Sequence, residues 1–183
     1  AAVIQKGKLL GLVPKTYLPE YSEFYEKRWF ASAQDVKATE IRFAGHKILI
    51  TPDLQLFTTS KGATFGVEIC EAVWAPTPPS NGLALAGAQL IFNLSASDEM
   101  VGKGSYRRDL VAGQSARLVC AYLYATAGEG ESTTDLVFGG QNLIAENGTV
   151  LAESATFENE INGATIDVQR LASERRRMST FPA

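Results

Sequence analysis

The chain has 183 residues, 45% hydrophobic and 20% charged, which is enough apolar material for one globular domain with a real core. A net charge of −3 and a pI near 5.3 argue against a nucleic-acid or anionic-membrane partner. No apolar run approaches the length of a membrane span, and cysteines only at 70 and 120 make no disulfide framework, so a reducing, cytoplasmic setting is expected.

Residues 2–5 and 8–13 are short apolar runs that read as a hairpin turning at Lys6-Gly7. Pro14 and Pro19 then bracket Lys15 and Tyr17 in a stretch too rigid for a helix and too polar for core. Residues 21–30 crowd aromatics among charges and read as a helical turn or an ordered loop, and 32–39 as a solvated loop. Residues 39–43 and 47–51 pair as a second hairpin across Gly45-His46, which puts the single histidine at the surface. One histidine and two distant cysteines assemble no metal site by the usual spacing.

Residues 64–69 are β-branched and aromatic enough for a buried strand, and the prolines at 76, 78 and 79 force the chain out of it. Cys70 therefore stands at the C-terminal end of a buried strand, between Glu68 and Glu71. A buried structural thiol is the competing reading of such a cysteine. A helix over 79–88, a strand over 89–95, a helix over 106–119 and a strand over 120–127 follow, with Cys120 inside an unbroken apolar run and Arg107 turned away from the core. A loop over 128–134 leads to a meander at 135–138, 142–145 and 150–154, then a strand at 163–168 and a helix at 169–178. Arg175, Arg176 and Arg177 suit the solvated C-terminal turn of that helix. The order predicts an α/β (α+β) domain, a mixed sheet with helices on one face and its other face also covered. No GxGxxG follows a strand, and Gly102-Lys103-Gly104-Ser105 lacks the glycine and the Lys-Ser order of a phosphate-binding loop.

Several separated motifs carry a resemblance that spans nearly the whole chain. Gly-Leu-Val-Pro-Lys-Thr-Tyr-Leu-Pro (11–19), Glu-Phe-Tyr-Glu (23–26), Gly-Val-Glu-Ile-Cys-Glu (66–71), Asn-Leu-Ser-Ala-Ser (93–97), Tyr-Arg-Arg (106–108) and Gly-Glu-Ser-Thr-Thr-Asp-Leu-Val-Phe (130–138) resemble the nitrilase superfamily. More narrowly, they are similar to the glutaminase domains of bacterial glutamine-dependent NAD+ synthetases. The resemblance implies a four-layer α-β-β-α sandwich, here lacking its N-terminal part. On that reading residues 1–183 are the middle and C-terminal part of a carbon–nitrogen hydrolase domain, with the synthetase domain absent.

The resemblance also implies chemistry. A Glu–Lys–Cys triad opens the glutamine amide to supply ammonia for ATP-dependent NAD+ synthesis from nicotinate adenine dinucleotide. Cys70 matches the nucleophile and Lys15 the charge-stabilising lysine. Glu23 resembles the second, orienting glutamate, and the backbone N–H of Glu71 is a candidate oxyanion donor. Tyr21, Glu71, Trp74 and Ser97 match positions that line the glutamine pocket, simple aromatic packing being the alternative for Tyr21 and Trp74. The general-base glutamate belongs to a strand before Lys15 that this sequence does not show, so the chain by itself is expected to be inactive. Ala72 stands where relatives carry Asp. No cofactor is expected on this chain; ATP and Mg2+ belong to the synthetase domain of the same polypeptide, the expected partner alongside glutamine, with a homo-oligomer, no nucleic acid and no membrane. The competing readings are a stand-alone amidase and a non-catalytic assembly module on the same scaffold.

Overall fold

Lys6 and Gly7 both adopt left-handed backbone (φ 48° and 76°), and this is what lets β1 (Ala2–Gln5) fold back on β2 (Lys8–Leu12) in a tight two-residue hairpin. The computed structural model describes residues 1–133 and 135–182, so Thr134 of the predicted 128–134 loop lies outside the described residues. The second hairpin joins β3 (Thr39–Phe43) to β4 (His46–Ile50) through Ala44-Gly45, at φ 48° and 81°. Its turn falls one residue earlier than predicted, because glycine carries the second left-handed position, and His46 becomes an exposed strand residue opposite Phe43. Leu12 pairs parallel with Ile50, giving a four-stranded sheet in the order β1-β2-β4-β3.

The second sheet is six-stranded. It is built from β5 (Phe57–Thr58), β6 (Thr64–Ile69), β7 (Leu90–Ser95), β8 (Ala121–Thr126), β9 (Leu143–Glu146) and β10 (Thr149–Glu153), in the order β10-β9-β8-β7-β6-β5. Strands β6, β7 and β8 run parallel, which requires crossovers, and α1 (Pro79–Leu85) and α2 (Lys103–Leu118) supply them. Leu83, Ala84, Val111 and Leu118 on these helices bury Ile91, Cys120, Tyr122, Leu143 and Ala145 on one face of the sheet. Gly66 permits this contact, since a Cβ there would lie 2.7 Å from the Leu83 methyls.

On the opposite face Phe65, Val67, Leu90, Phe92 and Leu94 look across a cleft of about 330 Å³ at β1. The two sheets are thus stacked, with α1 and α2 on the outer face of the six-stranded one, a mixed α/β arrangement of the nitrilase-like kind. Near the end of this face, Leu171 of α3 (Val168–Arg176) packs on Leu90, Ala121 and Leu123.

Three expectations change. Residues 135–138 form no strand but a single bridge, Phe138 to Asp98, because the following Gly139-Gly140 turns in against Gly128. Residues 163–168 form no strand either, having only Ile166 and Val168 half-buried and too little apolar alternation to pair. Arg175 is not a solvated helix end. It is buried and donates to the carbonyls of Val119 (3.0 Å), Leu118 (2.8 Å) and Ala84 (3.3 Å), satisfying the last turns of α1 and α2. Burial lowers its guanidinium pKa, a cost these carbonyl contacts offset.

Candidate active site

Strand β6 ends at Ile69, and the next residue, Cys70, takes φ +47° before a 3-10 turn over Cys70–Trp74. A non-glycine residue in left-handed backbone costs about 1–2 kcal/mol, so something must hold it there. Asn93 of β7 does so: its Oδ1 accepts the Cys70 N–H at 3.0 Å, and its Nδ2 donates to the Cys70 carbonyl at 3.4 Å. The half-buried thiol residue lies at the C-terminal ends of parallel strands and lines two cavities, of about 410 and 450 Å³.

The larger-stranded wall of the second cavity carries Ser95 and Thr126, and Lys15 and Glu26 face it. Lys15 and Cys70, distant in sequence, therefore line one cavity. Lys15 Nζ donates to both carboxylate oxygens of Glu26, at 2.7 and 2.6 Å. Glu23, nominated to orient this lysine, does not touch it. The 3-10 turn over Glu26–Arg28 aims Glu26 back at Lys15, while Glu23 faces Asp98 and helps to lower its pKa. In Glu-Phe-Tyr-Glu, spacing alone does not say which carboxylate turns inward.

The first cavity contains Tyr21, Glu71, Trp74 and Ser97 together with Asp98, Lys103 and Tyr106. Tyr21, 54% exposed, donates its hydroxyl to the Glu71 carboxylate (2.9 Å to each oxygen), so it is more than a packed ring. Burial raises the pKa of Glu71, against the opposing pull of the Tyr21 hydrogen bond and the Lys15 charge. Burial and the neighbouring Glu71 push the Tyr21 phenol up as well. Trp74 packs against the core cluster and presents its ring to Lys103 Nζ at 5.6 Å and to Tyr106 at 5.4 Å. Ala72 is buried in the turn behind Glu71.

Asp98 and Lys103 form an ion pair across the cavity wall and were not nominated from sequence. Burial would raise the Asp98 carboxyl, but the hydrogen bond and charge of Lys103 outweigh it and hold it below its usual value. Their signal was present, an Asp following a buried strand's C-terminal end and a Lys at the next helix start. Arg107, placed on a polar face by sequence, is 1% exposed. It donates to Glu99 (3.0 Å), Gln141 (2.5 Å), the Asp98 carbonyl (3.1 Å) and Ser97 Oγ (3.4 Å), bracing the strip that carries Ser97 and Asp98. Among the described residues no cluster of His, Cys, Asp and Glu is arranged to hold a metal ion, and no helix is long and apolar enough to cross a membrane.

A family description for carbon-nitrogen hydrolases matches residues 1–176. The chain belongs to the carbon-nitrogen hydrolase family. Among curated proteins it is 48% identical over 185 aligned residues to a glutamine-dependent NAD+ synthetase of Mycobacterium tuberculosis, covering 99% of this chain and 27% of that protein. Among solved structures it is similar to a glutamine-dependent NAD+ synthetase from Acinetobacter baumannii (TM-score 0.70, 26% identity, 87% of this chain and 26% of that one). One from Cytophaga hutchinsonii is alike in the same way (TM-score 0.70, 28% identity, 85% and 24%). The chain thus spans about a quarter of the length of these relatives.

The two cysteines of this carbon-nitrogen hydrolase differ sharply in environment. Cys120 is fully buried under α2, and burial pushes its thiol up to about 12. Iodoacetamide applied to the folded chain, followed by peptide mass mapping, is expected to label Cys70 first. Preferential labelling of Cys120 would remove Cys70 from consideration as the reactive thiol.

Proposed function

We propose that this chain carries the glutamine-hydrolysing chemistry of a glutamine-dependent NAD+ synthetase, with Cys70 as nucleophile. One observation carries this reading: Cys70 stands between a lysine–carboxylate pair and a cavity, sized for an amino acid, that offers charges of both signs. In the glutamine pocket the α-ammonium meets Glu71 and Asp98, and the α-carboxylate meets Lys103. Tyr21, Trp74 and Ser97 line the passage of the side chain toward Sγ.

Cys70 Sγ attacks the side-chain amide carbon, forming a C–S bond as the carbonyl becomes an oxyanion. The oxyanion donors are the N–H of Glu71, since the N–H of Cys70 is taken by Asn93, and the Lys15 ammonium. Glu26 holds that ammonium in place. Breakage of the C–N bond releases ammonia and leaves a thioester, which water hydrolyses to glutamate and free Cys70. The proton removed from the thiol must be returned to the leaving nitrogen. Among the described residues Glu26 pairs with Lys15, Glu71 with Tyr21, Asp98 with Lys103 and Glu68 with Tyr122, and Glu23 faces Asp98. We assign the proton shuttle to a glutamate elsewhere in the longer polypeptide, and the use of the ammonia to its ATP- and Mg2+-dependent synthetase part.

The test is the Lys103→Met variant of the full-length polypeptide, assayed by ammonia release from glutamine. Loss of one charge-assisted contact, worth about 1.5–3 kcal/mol, is expected to raise KM about tenfold to a hundredfold with a smaller change in kcat. An unchanged KM for glutamine would remove the amino-acid pocket from this reading.

A further inference from the structure

Asn93 is wholly buried in the middle of the apolar strand Leu90–Ser95, where an amide is costly unless each polar atom is matched. It lies directly across from Glu68 in the parallel pairing of β7 with β6. Its acceptor oxygen and its donors are all engaged: Oδ1 by the Cys70 N–H, and Nδ2 by the Cys70 carbonyl and by the Tyr122 hydroxyl oxygen at 3.0 Å. Tyr122, also buried, donates its single proton to Glu68 Oε1. The other oxygen of Glu68 accepts the Ser80 N–H at 2.8 Å, and Ser80 Oγ accepts from Gln114 of α2 at 3.0 Å.

This proton inventory allows one orientation of the Asn93 amide. The Cys70 N–H can only donate, so it needs Oδ1; the Tyr122 hydroxyl, having given its proton to Glu68, can only accept, so it needs Nδ2. We infer that Asn93 is the positioning residue for Cys70, oriented by Tyr122 and Glu68, and that it locks the cysteine in the left-handed conformation the site requires. The inference rests on the reading of Cys70 as nucleophile. Released from Asn93, Cys70 relaxes toward extended backbone and continues the alternation of Gly66 and Glu68. Its side chain then turns to the helix-covered face of the sheet and away from Lys15 and the amino-acid cavity.

The experiment uses the full-length polypeptide with Asn93→Ala, Asn93→Asp and Tyr122→Phe, and with Ile91→Ala as a control that opens the same strand face away from Cys70. Each is measured for melting temperature, for kcat and KM with glutamine, and for the second-order rate of Cys70 alkylation by iodoacetamide. Rates are taken per folded molecule. Both Asn93 variants are expected to lower kcat and the alkylation rate about tenfold to a hundredfold, with KM moving less than about threefold, as a misplaced reacting atom does. Tyr122→Phe is expected to shift both rates in the same direction by less. Ile91→Ala is expected to lose thermal stability while keeping both rates within about twofold. Asn93 variants that react at wild-type rates, or lose no more than Ile91→Ala at an equal drop in melting temperature, would overturn the inference. A wild-type protein without Cys70-dependent glutamine hydrolysis would sink the proposed function instead, and the alkylation rates would still decide the role of Asn93.

Discussion

Replacing Cys70 with Ala in the full-length polypeptide is expected to abolish glutamine-dependent NAD+ synthesis, by at least about a thousandfold, and to leave synthesis from free ammonia nearly unchanged. The split follows from where the chemistry sits. On the proposed reading only the first reaction needs an amide opened, and Cys70, which lines both cavities, opens it. Lys15→Ala should give the same split with a different residue. On the proposed reading it removes the charge opposite the developing oxyanion, and it leaves Glu26 without its partner. The measurement is NAD+ formation with glutamine or with ammonium as nitrogen source, in parallel, for each variant. Equal loss of both activities would show that Cys70 and Lys15 hold the fold together, and the division of labour proposed here would be wrong.

The 183-residue chain assayed alone is expected to hydrolyse glutamine about a hundred- to ten-thousandfold more slowly than the full-length polypeptide, the factor a positioned acid–base group contributes. On the proposed reading the chain supplies the nucleophile, the oxyanion donors and the charged ends of the amino-acid pocket, so glutamine should still bind. On that reading the group that takes the thiol proton and returns it to ammonia is supplied by another part of the longer polypeptide. Ammonia release from millimolar glutamine, with the Cys70→Ala chain as blank, checks it. Cys70-dependent turnover at the rate of the full-length protein would mean that a carboxylate within the chain shuttles the proton. Glu26 would then be the first to replace, because it already shares a cavity with Cys70 and Lys15.

How much of this was legible depends on whether the determining interaction is local. The run from Thr64 to Ile69 announces a buried strand by composition, and the prolines behind it announce its end, so Cys70 could be placed at a strand terminus before any fold was known. The Lys6-Gly7 turn was equally legible, because a left-handed dipeptide between apolar runs is a local constraint. Lys15, Tyr21, Glu71, Trp74 and Ser97 were nominated by motif, and the fold brings them around Cys70.

What the tertiary structure alone decided is how charged and polar groups pair across distant segments. Glu23 and Glu26 are alike in sequence, and only the turn after Phe24 determines which reaches Lys15. Arg107 and Arg175 read as surface charges because nothing beside them in sequence could satisfy a guanidinium. Their partners are the Ser97–Glu99 strip and Gln141 in one case and helix-end carbonyls in the other. Asp98 and Lys103 become a pair only because β7 ends where α2 begins. The role proposed for Asn93, in an apolar strand, depends on the register that sets β7 beside both Glu68 and Tyr122. Apolar periodicity reports which face of an element is buried, since burial is non-directional and averages over neighbours. Hydrogen bonds and ion pairs are directional and short, and they are settled only when the strands are in register.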